Sequence, residues 1–156
     1  KIIIKAFNTF KGLPHRNEIF YKKRGITFIN DSKATSFDAA QHALRSYKNI
    51  FWIVGGLPKF GDRFNLRNLN KNIIKSYIIG KNINFFKKKI EKLVDCRSSF
   101  NLENALQDIF KDLLLLKREH ATVLLSPASA SYDQFNNFIE RGNQFKKLTL
   151  KYARKF

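Results

Sequence analysis

Unbroken apolar runs alternate along the chain with stretches in which apolar residues return every three or four positions. "GITFIND" (25–31) reads as a buried strand, and "FDAAQHALRSY" (37–47) follows it with Phe37, Ala40, Ala43, Leu44 and Tyr47 on one helical face. "IFWIVGG" (50–56) and "KSYIIGK" (75–81) are two more strand candidates that run into glycine, and "ATVLLSP" (121–127) is a fourth. "NFFKKKIEKLV" (84–94) and "NLENALQDIFKDLLLLK" (101–117) have amphipathic helical spacing, the second opened by Asn101 as N-cap. From Ser131 onward, "SYDQFNNFIERGNQFKKLTLKYARK" reads as a helical tail. Strands alternating with helices at this spacing predict an α/β fold, a Rossmann-like, mostly parallel sheet with helices on both faces.

At 156 residues the chain suits one domain, and 44% hydrophobic content with 16 Phe suits a packed core. The apolar runs are too short to span a bilayer and no leading signal segment is evident, so the expectation is a soluble cytoplasmic protein without a membrane partner. Cys96 is the single cysteine, which excludes an internal disulfide, and it is expected to be a small buried apolar residue.

In parallel sheets ligands bind beyond the carboxyl ends of the strands. Three such ends carry unusual chemistry: "NDSKAT" after the first strand, "GGLPKFGDRF" after the second and "SPASASYDQF" after the last. They should converge on one edge and offer Lys33, Lys59, Arg63, Thr35, Ser126, Ser129 and Ser131, with free N–H groups at helix starts, to carboxylate or phosphate oxygens. No Walker A motif, G-x-G-x-x-G or G-x-S-x-G occurs, so neither a phosphate loop, a dinucleotide fingerprint nor a serine-nucleophile elbow is present. His42, on a predicted helix among apolar neighbours, reads as structural; His120 reads as a loop residue, and His15 as a capping or hinge residue of "GLPHRNE". Asp62 reads as an Asx turn before a metal ligand, and no metal site is assigned.

"GLPHRNE", "INDSKAT", "GGLPKFGDRF" and "LLSPASASYDQFNNFIERGNQF" occur in an order that resembles the carboxyl-terminal domain of the Mur ligases, specifically those that add D-glutamate to the peptidoglycan precursor. The resemblance covers about residues 12–148 and divides the chain into an interdomain linker remnant (1–11) and the amino-acid-binding domain (12–156). It implies a fragment of an ATP-dependent ligase, inactive alone and monomeric, with ATP and Mg held mainly by a missing central domain and UDP-N-acetylmuramoyl-L-alanine by an amino-terminal one. Carried over residue by residue, Thr35, Lys59, Ser131, Tyr132 and Phe138 resemble the groups that hold D-glutamate. Arg16 and Asp31 resemble those that reach ATP, and Lys33 with Arg16 are the implied catalytic residues. Ser36, Ser129 and Tyr132 depart from the family pattern at three positions, where Asn, Cys and a smaller apolar residue are usual.

The formal charge of +18, from 30 Lys and Arg against 12 Asp and Glu, raises a nucleic-acid-binding module as the alternative. The charges are dispersed, however, and Lys87, Lys88, Lys89 and Lys92 would spread around a helix instead of forming a phosphate-facing stripe. No nucleic-acid partner is therefore expected.

Overall fold

A computed structural model describes residues 12–117 and 119–156; the expected linker over 1–11 lies outside them. The sheet has six strands: β1 (Glu18–Lys23), β2 (Ile26–Asn30), β3 (Ile50–Gly55), β4 (Ile73–Ile79), β5 (Cys96–Phe100) and β6 (Ala121–Leu125). The helices are α1 (Phe37–Ser46), α2 (Ile83–Ile90), α3 (Leu102–Leu116) and α4 (Phe138–Ala153). Strand order is β1-β2-β6-β3-β4-β5, with β1 antiparallel to β2 and every other pairing parallel. The expected mostly parallel α/β architecture is thus present.

The apolar runs are continuous because their strands are buried on both faces. Along β3, Ile50, Trp52 and Val54 join the core beneath α1 and α2, whereas Phe51 and Ile53 join the core beneath α3 and α4. Helix α1 presents Phe37, Ala40, Ala43 and Leu44 to the first core; α3 presents Leu102, Ala105, Leu106 and Ile109 to the second. Trp52 is fully buried, and its indole N–H donates to the Ser126 carbonyl at 2.8 Å, so one large side chain fills the core and ties β3 to the end of β6.

Several boundaries and assignments differ from the sequence reading. The two edge strands were not anticipated: each carries a register shift, between Ile19 and Tyr21 in β1 and opposite Ile78 and Ile79 in β5, which breaks alternation. The tail is not helical from Ser131. Residues 131–137 form turns, and α4 begins after Asn137, whose side chain accepts from the Glu140 N–H at 2.9 Å. Cys96 is half-buried on edge strand β5, not enclosed, because that strand has a neighbour on one side only; burial still raises its thiol above the ordinary range. Asn101 caps α3 as expected, accepting from the Asn104 N–H at 2.9 Å.

A polar cluster fastens β4 to α3. Tyr77 donates to Asp112 at 2.6 Å, and Lys75 pairs with the same carboxylate at 2.9 Å. Burial alone would raise the Asp112 pKa, but the Tyr77 hydroxyl and the Lys75 ammonium hold it below the ordinary carboxylate range. A depressed carboxylate stabilises the fold fully above its unfolded pKa, near 4, and loses that contribution as pH falls through its folded value. Asp112→Asn is expected to lower stability by about 1 kcal/mol at neutral pH. In urea titrations the gap from the parent chain should narrow as the pH falls below about 4; a gap independent of pH would contradict this account.

Candidate functional site

The carboxyl ends of β2, β6 and β3 lie side by side at the middle of the sheet, where β6 inserts between strands joined by the α1 crossover. Their loops are stitched together. Leu57 and Ala130 exchange backbone hydrogen bonds at 2.9 and 3.0 Å, and the Gly55 N–H donates to the Pro127 carbonyl at 2.9 Å. This approach requires glycine at 56: with φ +135°, an added Cβ would lie 2.4 Å from the Ala130 carbonyl oxygen and 2.6 Å from Ser129 Oγ. The expected convergence of the three loops on one edge is present.

Two cavities flank the start of α1. One, of about 300 Å³, is lined by Arg16, Asn17, Asp31, Lys33, Ala34, Ala39 and His42. The other, of about 460 Å³, is lined by Ser36, Asp38, Lys59, Phe60, Gly61, Asp62 and Arg63. Arg16, Lys33, Thr35, Lys59 and Arg63 are exposed at this edge, whereas Ser131 is buried, Phe138 half-buried and Tyr132 71% exposed. Lys33 lies over the Phe138 ring, 5.4 Å from its centroid. The structure therefore gathers Arg16, Asp31 and Lys33 around one cavity and places Lys59 on the other, with Thr35 on the loop between them.

Asp31 is buried, at 4% exposure. Its carboxylate accepts from Ser126 Oγ at 2.7 Å and from the Asn17 N–H at 3.1 Å. Burial raises its pKa, opposed by those two donors and by the field of Arg16. Ser126 is thus engaged within the fold, as is Ser129, whose hydroxyl donates to the Pro127 carbonyl at 3.2 Å. Neither hydroxyl is presented to a ligand in the way the sequence suggested. Two of the N–H groups at the start of α1 are also occupied: Asp62 accepts from Phe37, and Ser36 Oγ accepts from Ala39 at 3.3 Å. Asp62 acts as a helix cap delivered from another loop, so the protein's own carboxylate already stands at the helix start where an anion was expected. His42 is exposed and borders the Arg16–Asp31–Lys33 cavity, which corrects its reading as a structural residue; the helix turns that position away from its apolar face.

His15, at 6% exposure, is the anchor of the loop that carries Arg16. Its φ is +63°, its carbonyl accepts from the Lys33 N–H at 3.0 Å, and its ring stands edge-on to Phe138. Its Nδ1 lies 2.9 Å from Asn30 Nδ2, an amide donor, so the ring nitrogen there is the acceptor. Gly142 makes room for the imidazole, since an added Cβ would lie 2.2 Å from Nδ1. Glu18 accepts from the His15 N–H at 3.0 Å and pairs with Lys146 at 3.0 Å. Burial would raise the Glu18 pKa, but those two donors bring it below the ordinary value.

Sequence reasoning missed Arg141. It sits in the first turn of α4 and is 1% exposed. Its Nε donates to Ser32 Oγ at 3.0 Å, and its Nη2 donates to the carbonyls of Ser32 at 2.8 Å and Ser129 at 3.0 Å. Nη1 has no partner among the described residues. Burial pushes its pKa down to about 10, partly offset through space by Asp133. The sequence signal was faint: a cation four residues after an N-cap asparagine, opposed to the helix dipole.

Among the described residues no group of three or more His, Cys, Asp or Glu is placed to hold a metal ion, and no helix is long and apolar enough to cross a membrane.

No family model matches the chain. It is 43% identical over 143 residues to the UDP-N-acetylmuramoylalanine--D-glutamate ligase of Wolbachia sp. subsp. Brugia malayi, covering 92% of this chain and 28% of that protein. The enzyme of the same name from Roseobacter denitrificans is 38% identical over 152 residues, covering 97% of this chain and 32% of that protein. The chain thus spans about a third of the length of these curated relatives. Among solved structures, a MurF ligase from Thermotoga maritima in complex with ADP has a TM-score of 0.53 at 15% identity, covering 99% of this chain and 36% of that one, a likeness of fold. The chain is homologous to the D-glutamate-adding Mur ligases and corresponds to their carboxyl-terminal domain.

Burial comes first among the causes that lower the His15 pKa, followed by the field of Lys146; Glu18 and Asn30 oppose them. The imidazole is therefore neutral at pH 7, and its stabilising effect is complete above the ordinary value of 6.5. That effect is lost as the pH falls from 6.5 through the depressed folded value. A ring-proton NMR titration is expected to place the His15 midpoint below 6.5 in the folded chain; a midpoint at or above that value would contradict the burial account.

Proposed function

We propose that this chain is the amino-acid-receiving domain of an ATP-dependent ligase that joins D-glutamate to UDP-N-acetylmuramoyl-L-alanine in peptidoglycan synthesis. The observation that supports the reading most is the pair of cavities on either side of α1, one with Arg16, Asp31 and Lys33 and the other with Lys59 and Arg63. A ligation that consumes a nucleotide and a dianionic amino acid needs two neighbouring anion-accepting surfaces, and cationic side chains on a rigid sheet edge are suited to supply them.

In the assembled enzyme the precursor carboxylate takes the terminal phosphoryl group of ATP, and the amine of D-glutamate displaces phosphate from that activated carbon to form the amide. This chain's own contribution is binding, orientation and charge stabilisation. Lys59 and Thr35 hold one carboxylate of D-glutamate, while Ser131 and the backbone near Tyr132 and Phe138 hold the other. Arg16 and Lys33 approach phosphoryl oxygens, where positive charge lowers the energy of the transferring group. The two oxygens of Asp31 already accept one donor each and keep further lone pairs for nucleotide hydroxyls. Holding the amine in line with the activated carbon removes much of the entropic cost of the encounter.

The donor chemistry fits a nucleotide, with two exposed cations beside one buried carboxylate. Magnesium falls to the central domain in this reading. We further propose that the chain alone does not turn over ATP, that it acts as a monomer in the cytoplasm, and that its product serves cell-wall assembly, and with it cell shape and division.

Joining this segment to the amino-terminal and central domains of a D-glutamate-adding ligase is expected to restore amide formation with D-glutamate in preference to other amino acids. Lys59→Ala in that enzyme should weaken use of D-glutamate about a hundredfold, roughly 3 kcal/mol, because a carboxylate loses its cation in a site closed to water. Amide formation with a different amino acid, or an unchanged response to D-glutamate in the Lys59 variant, would overturn the substrate assignment.

A further inference from the structure

Arg141 occupies a position that ordinary stability arguments disfavour on three counts. It is 1% exposed, it lies near the positive end of α4, and no carboxylate forms an ion pair with it among the described residues. An apolar side chain such as methionine would fill much of the space without leaving Nη1 unpartnered. What only a guanidinium supplies here is its fork. Nε and Nη2 together grip Ser32 by hydroxyl and carbonyl, and Nη2 also grips the Ser129 carbonyl. Ser32 in turn donates its hydroxyl to the Phe138 carbonyl at 2.8 Å, closing a ring of contacts through the start of α4.

Ser32 lies between Asp31 and Lys33, and Ser129 lies two residues before Ser131. We propose that Arg141 is a positioning residue: its fork sets the separation between the Asp31–Lys33 turn and the Ser129–Ser131 turn, and so where Ser131, read above as a D-glutamate contact, stands relative to Asp31 and Lys33. The free Nη1 keeps part of its charge directed into the strand-end region beside Gly56, where an added Cβ would lie 3.5 Å from it. Lysine cannot substitute, because a single ammonium cannot span two loops from fixed directions. The ligand arm of this proposal rests on the ligase reading; the positioning arm does not.

Amide hydrogen exchange on the chain tests the positioning arm directly. Arg141→Lys is expected to speed exchange about tenfold or more at residues 31–35 and 128–133, with the amides of β3 and α3 unchanged. Exchange that rises uniformly, or does not change in those two loops, would overturn the proposal. Should Arg141→Lys not fold, Ser32→Ala removes one bridging hydroxyl and should give the same localised pattern in milder form; its absence would count equally against the clamp.

The assembled enzyme tests the ligand arm. Arg141→Lys should raise KM for D-glutamate about tenfold, with the KM for the UDP-linked precursor unchanged. A merely structural role would lower kcat through the folded fraction and leave both KM values alone, and that result would overturn the proposal. Should the parent assembly form no amide with D-glutamate, the ligase reading fails while the exchange pattern still decides the clamp.

Discussion

The hydrogen bond from Ser126 to Asp31, 2.7 Å long and closed off from water, is the contact around which the strand-end edge is organised. A parallel sheet sends every strand out of the core at the same edge, where the departing backbones need partners in a region with little water. Here the loops partner one another. Asp31 holds the end of β6 and the Asn17 turn; Trp52 holds the Ser126 carbonyl from inside β3; Arg141 holds Ser32 and Ser129. A carboxylate and a guanidinium are both buried without pairing each other, and each is satisfied mainly by hydroxyls and backbone. Such an arrangement contributes less to stability than an apolar core would, but it leaves the three loops in one defined relation.

The interior of the sheet was legible because strands buried on both faces leave continuous apolar runs. "IFWIV" and "ATVLL" coincide with β3 and β6, and the helical spacing of α1 names the residues it buries. The edges were illegible for the converse reason. β1 and β5 are half-solvated and bulged, so "EIFYKK" and "CRSSF" carry neither a continuous run nor clean alternation. The start of α4 was legible in principle, since Asn137 followed three residues later by Glu140 resembles a capping box.

Chemistry on the loops divided along another line. Residue types pointed to the strand-end edge, and Asp31, Lys33 and Lys59 lie there because strand ends place them there. What the residue types did not reveal was which polar groups the fold consumes. Ser126 and Ser129 look like ligand contacts in a string of letters, yet Ser126 is engaged by Asp31, distant in sequence, and Ser129 by the Pro127 carbonyl two residues before it, while Asp62 and Ser36 are taken up by the start of α1. Arg141 and His42 were passed over for the opposite reason: one sits inside a helix, the other on a helix face whose neighbours are apolar. Only tertiary contacts separate a consumed polar group from an available one.

That division has a consequence for how the edge acts. The acceptors and clamps are buried, while the cations Arg16, Lys33, Lys59 and Arg63 are exposed. In water a pair of unit charges 4 Å apart gains only about 1 kcal/mol, whereas at the effective dielectric near a protein surface the same pair gains about 4 kcal/mol. These cations therefore attract an anion weakly while the edge stands open and much more strongly once another surface excludes water from it. On the ligase reading that surface belongs to the other domains, so closure itself converts a scattered set of lysines and arginines into a site. On that same reading, the hydrogen-bonded frame of Asp31, His15 and Arg141 is what holds the loops carrying those charges in one relation.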